Sequence, residues 1–261
     1  MTLMIKTLET IDELQQMQEV ESEVWHMDPI PVHQTFTALN HGGIVLGAYD
    51  GEKMVGFLYS FAGFDRGTPY LCSHMLGILP EYRTSGLGVK FKWKQAEIAK
   101  KMGYSMITWT FDPLESRNAY LNLHKLQATG ALYEADHYGS MNDEFNQGLP
   151  TDRIQIKWDI SNQKSQPDVS LQAEHILLDA DENGYPIVKE RLETANLAAG
   201  DCYFVAIPKH FQGIKQTDFS LAKQWRLETR KVFQQLFDHG FQASDLIREA
   251  AHDYSYYVFT N

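Results

Sequence analysis

A pair of glycines between a strand-like run and a helix-like run constrains this chain more than any other part of its sequence. Residues 80–90 read Pro-Glu-Tyr-Arg-Thr-Ser-Gly-Leu-Gly-Val-Lys, between an apolar run at 71–79 and an amphipathic run at 89–102. A strand that enters a helix through glycines leaves backbone N–H groups uncovered at the helix N-terminus, where a phosphate binds favourably. Gly86 and Gly88 also permit positive φ angles and close approach of a ligand. The stretch therefore predicts a phosphate-bearing ligand at a strand–helix junction.

Two common phosphate-binding loops do not fit this stretch. A Walker loop requires Gly-x-x-x-x-Gly-Lys-Ser/Thr, which the sequence lacks. A dinucleotide-binding fingerprint requires a third glycine, but Phe91 stands at that position, and no strand–helix–strand unit opens the chain. Five lysines follow at positions 90, 92, 94, 100 and 101. They predict either a solvated helix face or, for Lys90 and Lys94, contacts with phosphate.

Composition limits the class of protein. The 261 residues are 43% hydrophobic, which is enough for a sizeable core, and carry a formal net charge of −11. This acidic balance argues against binding to nucleic acid or to an anionic membrane. Cys72 and Cys202 have neither disulfide nor zinc spacing, so we expect no metal. The chain has no apolar run of ~18 residues and no signal-peptide pattern, so we expect a cytoplasmic protein.

The spacing of apolar residues predicts an α/β arrangement in the first part of the chain. A helix begins after Thr10, which forms a capping-box pattern with Glu13. Asp50-Gly51 between two apolar runs predicts a hairpin. Further elements are predicted as a strand at 71–79, a helix at 86–103, a strand at 105–111, a helix at 117–128, and strands at 132–133 and 154–160. Together they predict a mixed central sheet flanked by helices.

A polar segment at 161–168, containing Pro167, is the best candidate for a linker. We therefore predict two domains, at 1–161 and at 162–261. The second is a smaller α+β extension. Its predicted elements are strands at 176–179, 202–207 and 254–259 and a helix at 219–239.

The glycine stretch and its flanks resemble the GNAT acyltransferase superfamily. Arg-Thr-Ser-Gly-Leu-Gly at 83–88 resembles the family signature Arg/Gln-x-x-Gly-x-Gly/Ala, and Ile-Leu-Pro-Glu-Tyr-Arg at 78–83 is similar to the family's Val-x-Pro-Glu-Tyr-Arg. The following helix, the strand at 106–111 and the helix at 116–127 come in the family's order. The resemblance covers roughly residues 1–160 and is strongest to a less characterised branch that carries a C-terminal extension.

This resemblance implies an acyl-CoA, such as acetyl-CoA, as co-substrate, and acyl transfer by direct attack in a ternary complex. The expected acceptor is a small-molecule amine. The predicted C-terminal extension would cover the acceptor site or form a dimer contact, and whether the protein is a homodimer is left open. The alternative is a module that binds acyl-CoA as a sensor or assembly part without turning it over. The resemblance, with the backbone N–H groups that the glycine stretch exposes, assigns cofactor binding to Leu76, Gly77, Ile78, Arg83, Thr84, Ser85, Gly86, Leu87, Gly88, Val89 and Asn118.

The family's usual general acid, a tyrosine on the later helix, is missing. Aligned on Ala119, the chain has Leu123 at that position. Tyr120 on the same helix is the nearest substitute, whereas His124, adjacent to Leu123, is expected to face about 100° away from that position. Packing or capping roles for these residues stay open alternatives.

The general base is predicted from strand alternation. Cys72, His74, Leu76 and Ile78 would share one face of their strand, because successive side chains point to opposite faces. An imidazole with a pKa near neutrality suits a base, so His74 is the candidate. A buried, hydrogen-bonded histidine with no catalytic role is the alternative.

The acceptor site has weaker sequence signals. Trp25, near the end of the first helix, falls where many relatives bind the acceptor. Arg226 and Arg230, four residues apart on a helix, could hold a carboxylate or phosphate of the acceptor. Pairing with nearby acids such as Glu228 or Asp238, or contact with a second subunit, is the alternative interpretation.

Overall fold

The computed structural model of the chain describes residues 3–139, 148–162, 169–189, 197, 200–248 and 253–261. Its contacts divide the chain into two compact units. The N-terminal unit comprises Met1–Trp109 and Trp158–Gln163, and the C-terminal unit comprises Thr110–Lys157 and Lys164–Asn261. The predicted domain boundary between residues 161 and 162 stays a prediction. Most of the predicted linker, at 163–168, lies outside the described residues.

The N-terminal unit contains a five-stranded sheet with the order β1-β2-β3-β4-β5. Its strand pairs are antiparallel except for the parallel pair β4–β5, so the sheet is mixed as predicted. The elements in chain order are β1 (Met4–Thr7), α1 (Ile11–Trp25), α2 (Val32–Asn40), β2 (Ile44–Asp50), β3 (Lys53–Asp65), β4 (Thr68–Ile78), α3 (Leu87–Lys101) and β5 (Met106–Phe111). The last two residues of β5 belong to the C-terminal unit.

Helices cover both faces of this sheet. Trp25 of α1 packs edge-to-face on Phe57 of β3, with ring centroids 5.8 Å apart. Lys92 of α3 contacts Ser73 of β4, which pairs with Ser60 of β3. Residues 57 and 60 are an odd number of positions apart in β3 and therefore point to opposite faces. The α/β layering predicted from the sequence is confirmed.

A short segment late in the chain completes the core of the N-terminal unit. Trp158 is fully buried and packs edge-on against Trp93 and Trp109, with ring centroids 5.1 and 6.1 Å away. Ile160 is also buried, and its backbone N–H donates to the carbonyl of Ser105 at 2.9 Å. The unit is therefore discontinuous in sequence.

The described strands of the C-terminal unit have the order β7-β6-β11-β12-β10-β8-β9 and are also mixed in direction. Apart from the parallel pair of β10 with β8, the strand pairs described within it are antiparallel. Its elements are α4 (Ser116–Ala119), a π-helical turn (Tyr120–Lys125), β6 (Thr129–Glu134), β7 (Arg153–Asp159), β8 (Ile176–Ala180), β9 (Pro186–Val188), β10 (Tyr203–Pro208), α5 (Phe211–Thr217), α6 (Phe219–Asp238), β11 (Gln242–Arg248) and β12 (Tyr254–Thr260). Trp158 and Asp159, the end of β7, belong to the N-terminal unit.

Some predicted elements differ from the structure. The helix predicted at 117–128 is four residues of α-helix followed by a π-helical turn, in which the N–H of Leu126 donates to the carbonyl of Leu121. Five further elements were not predicted from the sequence: β1, α2, α5, β9 and β11. Within the described residues, no helix has the length and apolar character needed to cross a membrane.

Candidate functional site

Strand β4 has an open backbone edge where it separates from β5. It pairs with β3 along its whole length, but on its other side it pairs with β5 only at Leu71 and Cys72. From Ser73 to Ile78 no strand of the described part of the chain pairs with that side. An extended ligand can add to such an edge by strand-like hydrogen bonds. The predicted cofactor residues Leu76, Gly77 and Ile78 lie on this stretch.

A β-bulge at His74 interrupts β4 at the start of the open edge. Tyr59 of β3 pairs with Met75, and the next residue, Ser60, pairs with Ser73. His74 is therefore an extra residue with no partner across the strand pair. A bulge of this kind turns side chains and backbone groups away from the regular ladder.

The bulge shifts the alternation of side chains that was predicted along β4. Cys72 pairs with Phe61, and both Phe61 and His74 line the same pocket. Beyond the bulge the alternation is shifted by one residue, so that Leu76 and Ile78 do not share a face with Cys72. The prediction that these four residues of β4 share one face is wrong, because alternation assumes an unbroken ladder.

The glycine turn has the conformation that a helix N-terminal anion site requires. Gly86 caps α3 with φ of 77°, in the left-handed region that favours glycine. The first backbone bond into the turn is from Lys90 N–H to the Gly86 carbonyl, at 3.3 Å. The N–H groups of Leu87, Gly88 and Val89 precede it and have no acceptor within the helix. These three donors point the same way at the positive end of the helix dipole.

The turn before Gly86 uses some of the predicted donors internally. The N–H groups of Arg83 and Ser85 donate to the carbonyls of Pro80 and Tyr82, at 3.3 and 3.1 Å. The Arg83 side chain is exposed and its Nε donates to the carbonyl of Ile78 at 3.2 Å. The set of free donors is therefore narrower than the predicted run from Arg83 to Val89, although the guanidinium ties the turn to the end of β4.

A pocket of about 730 Å³ lies in the N-terminal unit, against the bulged part of β4. Its lining residues come from the loop before α2, from α2, and from β3 and β4: Ile30, His33, Gln34, Thr37, Ala38, Tyr59, Phe61 and His74. None of these lining side chains is a carboxylate. The pocket therefore offers an apolar and aromatic wall with a few neutral polar groups.

His74 lies at the side of this pocket. Its ring makes contacts with the rings of Tyr59 and Phe61, with centroids 6.0 and 5.6 Å away. His74 is exposed by its surface area, so it is not a buried histidine, but desolvation by the surrounding groups still lowers its pKa, which favours the neutral imidazole at neutral pH. A neutral imidazole can accept a proton.

Trp25 is not among the residues that line this pocket; it packs on Phe57 and lies close to Gly77. Its predicted role in acceptor binding stays a prediction. Glu21, a buried carboxylate on the apolar face of α1, was not predicted from the sequence. Its Oε1 accepts from the N–H of Ile30 at 3.0 Å and so fixes the pocket's rim. Burial raises the pKa of Glu21, and its Oε2 has no hydrogen-bond partner within the described structure.

Lys92 is the second functional candidate that the sequence analysis missed. Its side chain is buried, with 5% exposure, at the level of β4 where that strand separates from β5. Its Nζ donates to Ser73 Oγ at 2.8 Å and lies 3.5 Å from the ring centroid of Trp109. Burial lowers the pKa of Lys92 to about 7. Its helical spacing with the buried Ala96 and Ala99 is the sequence signal that could have placed it on the inner face of α3.

The predicted residues of the later helix lie in the C-terminal unit. Asn118 is exposed on α4, whereas Leu123 is fully buried in the π-helical turn. The ring of Tyr120 stacks on His124 with centroids 4.5 Å apart, because the π-helical turn brings them over one another. His124 Nδ1 lies 3.0 Å from Asp245 Oδ1. The catalytic role of Tyr120 and the cofactor role of Asn118 stay predictions.

The two arginines of α6 are paired with carboxylates of the same unit. Arg226 is 2% exposed, and its Nη2 donates to Asp112 Oδ2 at 2.5 Å. Arg230 makes a bidentate pair with Asp152, with its Nε 3.0 Å from Oδ2 and its Nη2 2.5 Å from Oδ1. Pairing with acids is thus the observed arrangement, although not with the two acids named from the sequence. Binding of an acceptor by these arginines stays a prediction.

Comparison with known proteins agrees with this geometry. Residues 8–126 match the sequence profile of the Acetyltransferase (GNAT) family. Among proteins with curated descriptions, none matches the sequence.

Two solved structures share the fold. The ribosomal-protein-S18-alanine N-acetyltransferase from Escherichia coli is similar with 16% identity and a TM-score of 0.50, covering 64% of this chain and 100% of that chain. A chain of the NatC complex, solved bound to Gag peptide and CoA, is similar with 14% identity and a TM-score of 0.50, covering 61% of this chain and 99% of that chain. At these identities the likeness shows a shared fold.

Proposed function

Since residues 8–126 of this chain are a domain of the GNAT acetyltransferase family, we propose that the protein transfers an acetyl or other acyl group from acyl-CoA to the amine of a small molecule. The acyl-CoA is the co-substrate, and the amine attacks it directly in a ternary complex. The family assignment supports acyl transfer in general; the acyl-CoA site and the amine acceptor rest on the geometry of β4, the glycine turn and the pocket.

The observation that carries the proposal is the continuity of two binding elements in the N-terminal unit. The open edge of β4, at residues 73–78, leads directly to the turn that ends at Gly86. An acyl-CoA has an amide-bearing pantetheine arm joined to a pyrophosphate. Strand-like pairing suits the amides, and the free N–H groups of Leu87, Gly88 and Val89 suit the pyrophosphate.

The pocket beside His74 is the proposed acceptor site. Its volume of about 730 Å³ suits a small molecule, and its aromatic and apolar wall suits an amine with an apolar body. An amine attacks a thioester only as the neutral form, so its ammonium must first lose a proton. The neutral imidazole of His74 would accept that proton, directly or through a water molecule.

Calorimetry with acetyl-CoA tests the cofactor half of the proposal. Wild type is expected to bind, and Gly86→Asp is expected to lose most of the affinity, because a carboxylate would stand beside the anion site. Gly103→Asp is the matched control, since Gly103 also has a positive φ and open space but lies beyond the far end of α3. Equal affinities for wild type and Gly86→Asp would contradict the site.

Release of free thiol from acetyl-CoA, followed over a panel of amines and amino acids, tests the catalytic half. An amine-dependent rate that falls at least tenfold in His74→Asn supports the proposed acceptor site. Binding of acetyl-CoA with no thiol release on any acceptor favours the second candidate, a non-catalytic acyl-CoA sensor or assembly module. The observation that favours this second candidate is the buried Leu123 at the family's tyrosine position.

Several accompanying expectations belong to the same proposal. The net charge of −11 favours a protein that binds neither nucleic acid nor membrane. The proposed location is the cytoplasm. Size-exclusion chromatography with light scattering would decide between monomer and homodimer. A peptide in place of the small amine would be detected by including peptides in the acceptor panel.

A further inference from the structure

The buried Lys92 stands at a position where a charged group needs an explanation. Its Nζ contacts Ser73 Oγ and the face of Trp109. Lys92 is not part of any ion pair found in the described residues. A buried ammonium without a carboxylate partner is unfavourable, so a purely structural role would be served better by an apolar residue.

The hydroxyl group of Ser73 accepts two hydrogen bonds from side chains of α3. Ser73 Oγ accepts from Lys92 Nζ at 2.8 Å and from Gln95 Nε2 at 3.1 Å. A hydroxyl oxygen has two lone pairs and one hydrogen. In this arrangement both lone pairs are occupied, and the hydrogen of Ser73 is available to a third group; the buried Oε1 of Gln95 is also without a hydrogen-bond partner within the described structure.

The place of Ser73 in the sheet shows where that third group would be. Ser73 is the first residue of β4 beyond its last pair with β5, and Trp109 is the first residue of β5 beyond the same pair. Ser73 therefore lies at the inner end of the open edge of β4. The open edge is the stretch to which the proposed function assigns the pantetheine arm, which ends at the thioester sulfur.

We propose that Ser73 and Lys92 form a proton relay that protonates the sulfur leaving group of acyl transfer. This inference rests on the proposed function and supplies the general acid that Leu123 leaves missing. Ser73 is the catalytic residue, and Lys92, which acts through it, is the positioning residue that supplies the proton. Trp109 stabilises the charged form of Lys92 through its ring face.

Acyl transfer with this relay forms one bond and breaks one bond at the acyl carbon. The amine forms a C–N bond to the acyl carbon, and the C–S bond breaks with its electron pair on sulfur. Sulfur takes the proton of Ser73 Oγ, and Ser73 takes one from Lys92 Nζ, which is left neutral. The nitrogen of the attacking ammonium loses two protons, one before the attack and one after the C–N bond has formed. Both leave by way of the base and solvent, and Lys92 is reprotonated from solvent. The products are an amide and a free thiol.

The pKa of about 7 for Lys92 fits such a relay. A proton donor works best when its pKa lies near the pH at which it operates. An exposed lysine, with a pKa near 10.5, would hold its proton too firmly. The Cys72 thiol is the titratable group that interacts electrostatically with Lys92, and burial raises the pKa of that thiol.

The test compares Lys92→Met and Ser73→Ala with wild type and with Lys100→Met, a control at an exposed lysine of the same helix. The rate of thiol release from acetyl-CoA is measured from pH 5.5 to 9 with an amine that wild type accepts. Wild type is expected to lose rate above about pH 7 as Lys92 deprotonates. Lys92→Met is expected to lose that alkaline limb and about 10²-fold in rate. Ser73→Ala should lose a similar factor, and all variants should bind CoA with wild-type affinity.

A second measurement is independent of turnover. In protein labelled with ¹³C-lysine, one lysine side-chain signal should titrate near pH 7, should be missing in Lys92→Met, and should shift when CoA binds. If every lysine signal titrates above pH 9, the relay is wrong.

The outcomes separate this inference from the proposed function. Wild type that does not bind acetyl-CoA overturns both. Wild type that binds acetyl-CoA without releasing thiol overturns the relay and leaves the binding site in place. Turnover with the same rate and pH profile in wild type and Lys92→Met overturns the relay alone.

Discussion

Replacing Lys92 by methionine is expected to stabilise the protein at neutral pH and to do so progressively less as the pH rises. Burial lowers the pKa of Lys92 from 10.5 to about 7. Between these two values the unfolded chain binds a proton that the folded chain does not, so the stability of wild type rises with pH in this window. Below about pH 7 both states are protonated, and the cost of the buried charge is fully present.

The magnitude follows from the two pKa values. Each pH unit corresponds to about 1.4 kcal/mol, so the lowered pKa represents about 5 kcal/mol of unfavourable burial. Loss of the hydrogen bond to Ser73 in the variant offsets about 1 kcal/mol. Lys92→Met should therefore be more stable than wild type by about 4 kcal/mol at pH 6 and by slightly less at pH 7, and this difference should vanish near pH 10.

Urea unfolding followed by circular dichroism at pH 6, 7, 8.5 and 9.5 would measure this difference. Lys100→Met controls for the loss of a positive charge from an exposed position of the same helix, and its difference from wild type should stay within ~0.5 kcal/mol at every pH. A Lys92→Met protein whose stability relative to wild type is independent of pH would refute the reasoning. A variant less stable than wild type at pH 7 would show that the contacts of the amine outweigh its desolvation.

Three further predictions concern the backbone and the C-terminal unit. Gly86→Ala should lower the free energy of unfolding by about 1 kcal/mol because of its positive φ, whereas Gly213→Ala, inside a helix with open space around it, should raise it by up to ~1 kcal/mol; equal effects in thermal melts would contradict this. Gly77→Ala should cost about 1–3 kcal/mol, since the new methyl group would stand 2.7 Å from a buried aromatic carbon, and an unchanged melting temperature would refute that crowding. Asp112→Asn should cost about 3–5 kcal/mol in urea unfolding, because it removes the charge of the carboxylate that is hydrogen-bonded to the buried Arg226; a loss under 1 kcal/mol would mean that the ion pair is dispensable.

Features that depend on neighbouring residues could be predicted from the sequence. Thr10 and Glu13 form the reciprocal hydrogen bonds of a capping box, at 3.3 and 3.1 Å. Asp50 and Gly51 turn β2 into β3, and α3 begins directly after Gly86. In each case the residues that determine the geometry lie within four positions of one another, so the pattern itself contains the information.

Features that depend on distant residues could not be predicted in this way. The bulge at His74 exists only relative to β3, and alternation along β4 alone cannot show it. Asp112 is 114 residues from Arg226, and Asp152 is 78 residues from Arg230, so nearby acids were the wrong candidates. Lysine is rarely buried without a partner, and this general tendency concealed Lys92 among the exposed lysines of its helix.

The discontinuity of the N-terminal unit has a consequence for synthesis on the ribosome. When the chain has been made as far as Phe111, β1 to β5 and the glycine turn are complete in sequence, but the core beneath Trp93 and Trp109 still lacks Trp158. The N–H of Ile160 has also not yet reached Ser105. In the nascent chain this aromatic surface therefore stays uncovered until Thr110–Lys157, the first segment of the C-terminal unit, has been synthesised. The N-terminal unit is therefore the first to begin folding, but it can complete its core only after Trp158 and Ile160 have been synthesised.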